Sequence, residues 1–510
     1  MTRAYYVTTP IYYISGNPHI GHAYTTVVAD VLARTARTAG PAHFLTGTDE
    51  HGQKVANAAA EAGKAPKAWC DDLVPRWKAL FAAYDVAYDD FIRTTQPRHE
   101  RVVQAVFERM RENGDVYLGK YEGWYCVYDE TFWPETKLVD GRCPTCGREV
   151  GRISEDDWFF RLSKYRDRLI EHFRAHPHWV RPKSVYNEMM ALLEEGLEDL
   201  SITRTNLEWG IPIPGGGGVI YVWFDALLNY ISAIGWSTDP AAFATFWPAS
   251  VQLIGKEIAR FHTLIWPAML WSIGEAAPEL VFAHGWITVD GKKMGKSLGN
   301  AVDPFALVRR FGADSLRYFL LREAPFGSDF SYSEEKIAQR HNSDLGNDLG
   351  NLLHRTASMV QKYRDGRVPH PPARDSEYGV RFARLPATVR EHVLDLHFRE
   401  ALEAAWELVA ALNRAVDERK PWVLFKEGRR DELDALLYDL CEGLRWLAML
   451  LHPVMPARME EMWRRLGANG RITDDWSVAL ARWGGLEPGS AISPGEALFP
   501  RIEPAPAQPP

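Results

Sequence analysis

Thr8 to His22 reads TTPIYYISGNPHIGH, and the way this stretch folds decides how the rest of the chain is read. A short apolar run, Ala4 to Val7, precedes it, and the amphipathic segment Ala23 to Thr38 predicts a helix ending near Gly40. Strand, turn at Gly16-Asn17-Pro18, then helix is the opening of a nucleotide-binding crossover. Ligands in such folds collect at the C-terminal ends of the strands, where a helix N-terminus offers unpaired N–H groups. His19 and His22 stand at that mouth. Two imidazoles there can donate to phosphate oxygens and strengthen as charge builds at phosphorus. The same His-x-x-His spacing also suits a metal pair or two surface histidines.

With 510 residues and ordinary apolar and charged fractions, the chain is long enough for a large core and roughly two to four domains. No run of about 18 uncharged apolar residues occurs, and the N-terminus has no long apolar stretch, so a cytoplasmic protein is expected, with no membrane span. A net charge of -8 argues against capture of nucleic acid by a global basic field and leaves local patches and specific contacts. Five cysteines are too few for a disulfide framework. Three of them crowd into Cys126 to Cys146, which points to metal in a reducing compartment.

Phe44 to Thr46 leads into GTDEHG, Gly47 to Gly52, a second strand-then-polar-turn unit that puts Asp49 and His51 at the same sheet edge. Asp49 there suits an ammonium group, and equally the N-cap of a helix from Gln53 to Ala62. Lys67 to Asn113 reads as helical, with Trp69, Leu73, Trp77, Leu80 and Phe81 at core spacing. Cys143-Pro-Thr-Cys146-Gly is a knuckle, and Cys126 with Asp129 repeats its spacing. Three sulfurs and one carboxylate can share a tetrahedral Zn2+ in a closed, structural site. The other reading has Asp129 capping a turn and the thiols idle. Cys70 and Cys441 have no such partners and read as small buried hydrophobes. The run Gly215 to Gly218 lacks the Lys-Ser/Thr of a P-loop and reads as a turn.

Val219 to Ala226 predicts a strand that brings Trp223 and Asp225 near a helix starting at Ala226. Val251 to Ile254 and Leu280 to Ala283 predict further strands, so a parallel sheet opened near residue 4 resumes after a long insertion. ITVDGKKMGKSLGN follows at Ile287 to Asn300. Lys292, Lys293 and Lys296 on a Gly-flanked loop, with Ser297 as an extra donor, can form a mobile clamp on a triphosphate. A plain solvated loop is the alternative. Further on, Phe398, Leu402, Ala405, Val409, Leu412 and Val416 step by four and three. Leu433, Leu436, Leu440, Leu444, Leu447 and Leu451 do the same, so two helices of a bundle face one seam.

PHIGH at Pro18 to His22 and KMGKS at Lys293 to Ser297 resemble the two signatures of class I aminoacyl-tRNA synthetases, in the right order and with an insertion between. Together with TTPIYY, GTDEHG, YEGWYC, YVWFDALLNY, IGKE, WPAML, DLGN and KPW they resemble the methionyl-tRNA synthetase family over nearly the whole chain. The resemblance implies a ligase that joins methionine to ATP as methionyl-adenylate, then passes the methionyl group to the terminal adenosine of initiator and elongator tRNA. It implies that His19 and His22 touch the ATP phosphates, and that Gly21 lets adenine approach the backbone. Gly255, Glu257, His284, Gly285 and Ser297 would complete the ATP site, and Lys293 and Lys296 would stabilise the departing pyrophosphate with Mg2+. By motif position Asp49 would hold the methionine ammonium. Ile11, Tyr13, Trp223, Ala226 and Leu227 would line the side-chain pocket with Tyr230, Ile258, Phe261, His262 and Trp266. Aromatic walls give a thioether sulfur–π contact, and Tyr13 or His262 can supply a donor to the sulfur. Plain core is the alternative for these aromatics. Asn351, Arg355 and Trp422 match the positions that read the CAU anticodon. Trp422 follows Pro421, where a helix should break and expose the indole for stacking.

The chain departs from the family pattern at Gly295, where serine is usual, at Glu257, where aspartate is expected on the ribose, and at Asp129, where cysteine is more frequent. The expected α/β architecture is a Rossmann-like catalytic domain in two halves, 1–115 and 219–286, split by a connective insertion, 116–218, whose zinc knuckle spans 121–155. A signature-loop and stem-contact region, 287–340, an all-α anticodon-binding bundle, 341–485, and a Pro-rich tail, 486–510, follow. No appended tRNA-binding barrel follows the bundle, so a monomer is expected. Another class I synthetase is disfavoured by the aromatic pocket and the lack of a large editing insertion; a non-catalytic tRNA-binding paralogue is disfavoured by the intact signature histidines and lysines.

Overall fold

A computed structural model describes residues 3–129, 131–133, 135–289, 292–293, 302–371, 375–472 and 481–503. The chain divides into two compact units. The first comprises Met1–Pro18, Ala42–Phe81 and Ala87–Gly285, and the second His19–Pro41, Ala82–Val86 and Trp286–Pro510.

The first unit is built on a seven-stranded sheet whose pairs are all parallel. Tyr5–Thr8 lies in the middle, with Ala42–Asp49 on one side and Val251–Gly255 on the other. Val281–His284 continues the sheet beyond Val251–Gly255, and Asp90–Arg93 beyond Ala42–Asp49. Strands covered on both faces need apolar side chains on both, which is why these segments read as near-continuous apolar runs. Gly47 is demanded by packing: a Cβ there would sit 2.0 Å from the Ile92 carbonyl oxygen of the neighbouring strand. Strand order reverses around Tyr5–Thr8, and the crevice outside the C-terminal ends at such a reversal is where ligands bind in open α/β sheets.

The insertion holds a four-stranded antiparallel sheet in the order Thr131–Trp133, Val116–Cys126, Gly151–Phe160, Leu200–Ser201. It also returns the short strand Val180–Arg181 to the edge of the parallel sheet beside Val281–His284.

The strand predicted over Val219 to Ala226 is cut short. Only Val219–Ile220 is extended, paired antiparallel with Thr203–Arg204, and a helix runs from Val222 to Leu227. A continuous apolar run carries no period by which a buried strand can be told from a buried helix. Asp225 is therefore inside a helix, not at a strand end. After Val251–Gly255, Phe261–Ile265 forms a π-helical turn that passes into the α-helix Trp266–Ser272.

In the second unit the helix Ile20–Arg37 is buried over most of its length. Its Asp30 pairs with the buried Arg317 at 2.6 Å, and Arg317 also donates to the carbonyls of Tyr84, Asp85, Pro453 and Val454. Ile287–Val289 pairs with Lys292–Lys293 and with Phe330–Ser331 in a small sheet. The two long helices of the predicted seam, Phe398–Arg419 and Arg430–Leu451, pack together, and at Gly443 a Cβ would lie 2.5 Å from the Leu412 side chain. The Pro-rich segment after Gly484 is strapped to the bundle. Glu442, fully buried, accepts the backbone N–H groups of Gly484, Gly485 and Leu486, and the Pro500 carbonyl is bonded by His341. Among the described residues no helix is long and apolar enough to cross a membrane.

Candidate active site

In the sheet unit, the C-terminal strand ends gather the residues named from the sequence. Asp49 closes Ala42–Asp49, Gly255 closes Val251–Gly255 directly beside His284 of the next strand, and Gly285 follows. The Glu257 carboxylate folds back over Gly255, where a Cβ would meet its Oε2 at 2.6 Å. His284 is lowered from its ordinary range by burial, which outweighs its hydrogen bond to the Gly285 carbonyl and the nearby Glu257 charge, so it is neutral at pH 7.

The three residues between Gly47 and Gly52 that carry charge or a titratable ring do three different things. Asp49 does not cap the next helix, Gln53–Glu61, which starts after Gly52 with no side-chain cap. Glu50, fully buried, takes a two-pronged ion pair from Arg93 at 2.6 and 2.9 Å and hydroxyl donors from Thr48 and Thr95. His51 reaches Asp225 at 2.7 Å, and His99 bonds the other carboxylate oxygen at 2.6 Å. Burial alone would raise the Asp225 carboxyl, but attraction to His51 and the hydrogen bonds from both histidines hold it below the ordinary range. Neither His99 nor the role of Asp225 is visible as a motif; their partners are separated by 126 and 174 positions.

The ten residues expected around a methionine side chain divide by exposure. Ile11, Tyr13, Trp223, Ile258 and Phe261 are half-buried, while Ala226, Leu227, Tyr230, His262 and Trp266 are buried. Trp223 and Phe261 stack face to face with centroids 3.8 Å apart. Tyr230 is fixed at both ends: its carbonyl accepts from Tyr6 Oη at 2.8 Å, and its hydroxyl meets His262 Nε2 at 2.8 Å. Burial lowers His262 to about 4, against its hydrogen bond to the Ile258 carbonyl, so the ring is neutral with its one proton on Nδ1. Nε2 then accepts from the Tyr230 hydroxyl. His262 thus has no second N–H for a sulfur, which corrects one of the two donors expected from the sequence.

Cys126, Asp129, Cys143 and Cys146 form the metal-ligand cluster found among the described residues, with ligand atoms all within 4.8 Å of one another. Cys126 ends a strand, Asp129 sits in the hairpin turn after it, and Cys143 and Cys146 are folded into a knuckle in which Gly147 N donates to the Cys143 carbonyl. Gly147 has φ +71, a backbone conformation glycine enters without a Cβ penalty. Cys126 and Cys143 are buried, and the donor set suits one tetrahedral cation, zinc first. Cys70 and Cys441 are buried and stand apart from this cluster, the Cys70 thiol donating to the Glu50 carbonyl.

In the other unit, His19 and His22 cap the helix Ile20–Arg37 reciprocally. His19 Nδ1 accepts from Gly21 N at 3.1 Å, and His22 Nδ1 accepts from His19 N at 3.0 Å, with the rings stacked 3.7 Å apart. A neutral imidazole whose Nδ1 accepts carries its proton on Nε2, so both rings are donors there. Gly21 is needed for this fold: a Cβ would meet the His19 ring at 2.9 Å. Lys293, expected on a loop, has strand backbone paired with Thr288 and belongs to the same unit as the two histidines. Lys296 and Ser297 lie outside the described residues. Asn351 opens the helix Asn351–Arg364 directly after a ten-residue π-helix, His341–Gly350. Arg355 pairs with Asp417 at 2.8 Å. Trp422 is 48% exposed on the helix Pro421–Lys426, which starts after Lys420 breaks the preceding helix at φ +46.

A split parallel sheet carrying these residues at its strand ends, a histidine-capped helix and a helical bundle define a class I aminoacyl-tRNA synthetase. The family described as "tRNA synthetases class I (M)" matches residues 5–155 and 151–357, and "Anticodon-binding domain of tRNA ligase" matches 377–493. A methionine–tRNA ligase of Caldanaerobacter subterraneus is 48% identical over 99% of this chain and 80% of its own length, and one of Thermotoga maritima 48% over 98% and 80%. The structure of Mycobacterium tuberculosis methionyl-tRNA synthetase with methionyl-adenylate superposes with a TM-score of 0.92 at 41% identity, covering 98% of this chain and 100% of that one. The chain belongs to the methionyl-tRNA synthetases, and its reaction is the ATP-dependent charging of tRNA with methionine through methionyl-adenylate.

Proposed function

We propose how this chain's residues divide that reaction. A carboxylate oxygen of methionine forms a bond to the α-phosphorus of ATP while the bond to pyrophosphate breaks. His19 and His22 donate from Nε2 to phosphate oxygens as negative charge accumulates, and Lys293 and Lys296 take up the charge of the departing pyrophosphate. Gly21, Gly255, Glu257, His284, Gly285 and Ser297 hold the nucleotide. Asp49 holds the methionine ammonium, and the Trp223–Phe261 stack with Tyr13 faces the thioether, Tyr13 being the donor to sulfur now that His262 is committed to Ile258 and Tyr230. The terminal adenosine of tRNA then attacks the methionyl carbonyl and AMP leaves. Asn351, Arg355 and Trp422 read the anticodon. The chain acts as a monomer in the cytoplasm on initiator and elongator tRNA.

The observation that carries this division is the reciprocal His19–His22 cap, which fixes two stacked imidazoles, each with Nδ1 as acceptor and so its proton on Nε2, at a helix N-terminus. Pyrophosphate exchange across a panel of amino acids tests it: exchange with methionine alone, lost in His22→Asn, is expected. Exchange undiminished in that variant overturns the donor role. Cys126, Asp129, Cys143 and Cys146 would hold one structural Zn2+, which pins the hairpin of the insertion. Elemental analysis is expected to find about one zinc per chain, absent in Cys143→Ser.

A further inference from the structure

Three aromatic side chains stand out among the exposed large hydrophobics of the described residues: Tyr128, Trp422 and Phe425. Two of the three share the six-residue helix Pro421–Lys426. Trp422 and Phe425, 48% and 50% exposed, are one turn apart and so on one face of that helix. Nothing in the packing of the bundle requires this, since the same helix already anchors itself through buried Pro421 and Leu424.

Phe425 is not loose on the surface. Its ring stacks on Tyr363 with centroids 4.6 Å apart and planes 28° apart, so Tyr363 backs one face of the ring. Around the pair stand Lys362, whose ammonium lies 5.4 Å from the Tyr363 ring centre, and Lys420 and Lys426 at the two ends of the short helix. All three lysines are exposed, and among the described residues none makes an ion pair. Neighbouring guanidinium groups differ: Arg355, Arg364 and Arg429 are each held by a carboxylate. Exposed rings with uncommitted ammonium groups are the combination that takes single-stranded nucleic acid, bases stacking on the rings and phosphates meeting the charges. A duplex keeps its base faces covered, so the ligand chemistry is an unpaired loop.

We infer that Phe425, backed by Tyr363, is a second base-stacking platform beside Trp422, and that the bundle holds two neighbouring unpaired bases of the tRNA anticodon loop with Lys362, Lys420 and Lys426 on the adjoining phosphates. This rests on the reading of Trp422 as an anticodon contact. The test uses the full chain and an RNA hairpin with a CAU loop, carrying the fluorescent base 2-aminopurine at successive loop positions. The unaltered protein is expected to change the fluorescence at two loop positions on binding. Phe425→Leu keeps the apolar bulk and removes the π face; it is expected to weaken binding roughly tenfold and abolish the change at one position, whereas Phe425→Trp retains both. Trp422→Leu is expected to abolish the change at the other position. Binding and fluorescence unaltered in Phe425→Leu but impaired in Trp422→Leu overturn the second platform and leave the anticodon reading standing. Both variants binding like the parent overturn that reading too.

Discussion

The aromatic wall proposed for methionine in the sheet unit and the bundle face proposed for the anticodon are both rich in aromatic rings, and the rings stand in opposite settings. Around Tyr230 a chain of polar contacts is engaged inside the protein: Tyr230 on His262, His262 on the Ile258 carbonyl, Asp225 between His51 and His99. Around Trp422 the rings face solvent and the nearby lysines have no acidic partners among the described residues. The first arrangement suits a small, mostly apolar ligand, for which a dry wall of fixed shape costs little reorganisation. The second suits a flexible polyanion whose bases bring their own apolar faces and whose phosphates need cations. Aromatic content therefore says little about a site until burial and the commitment of neighbouring polar groups are known.

That contrast can be broken most forcefully at Asp225. Asp225→Ala leaves His51 and His99 buried without their shared acceptor, and a loss of about 3–5 kcal/mol in unfolding free energy is expected, read by denaturant melts. A near-neutral result would show that the interior network does not hold the helix Val222–Leu227. A finer probe is Tyr230→Phe, which removes the hydroxyl that His262 accepts while keeping the ring. Leaving a buried acceptor unmade costs about 1–3 kcal/mol, so a rise of roughly tenfold in KM for methionine is expected, with KM for tRNA unchanged. If both constants move together, the two regions are not separable as described.

A third effect, read as a difference between two variants, is expected with pH. His262 is lowered to about 4 from an ordinary value of 6.5, so between those values the unfolded chain binds its proton and the folded chain does not. The contribution of His262 to stability is thus fully present above pH 6.5 and is lost as pH falls toward 4, by up to about 1.4 kcal/mol per pH unit. Asp314, in the other unit, is pushed up to about 6 by burial and contributes the opposite slope between 3.8 and 6. The readout is therefore the difference between parent and His262→Asn, whose melting temperature should fall less steeply over pH 6.5 to 4. Parallel curves would remove the buried neutral ring from the account.

Much of the site was legible because its residues lie in local units that physical chemistry reads directly: a strand, a polar turn, a helix start. Trp422 was predictable from Pro421, since proline cannot continue the preceding helix but can open a new one. Cys126, Asp129, Cys143 and Cys146 declared themselves by spacing. The helix at Val222–Leu227 reads as strand because a run that is apolar but for Asp225 carries no period. Phe425 was missed because an exposed phenylalanine looks, in a string of letters, like any core residue.

By itself the order of residues determined the parallel nucleotide-binding architecture, the cluster of metal ligands, the helical bundle and the family, because each rests on patterns a few residues to a few tens of residues long. Only the tertiary structure decided that His19 and His22 cap one helix reciprocally through their Nδ1 atoms, that His262 serves Tyr230 and not a sulfur, and that Asp225 is shared by two histidines. The first turns on ring orientation within one helix start and the other two on which nitrogen faces which oxygen across 32 to 174 positions of chain, and neither leaves a periodicity in the sequence to read.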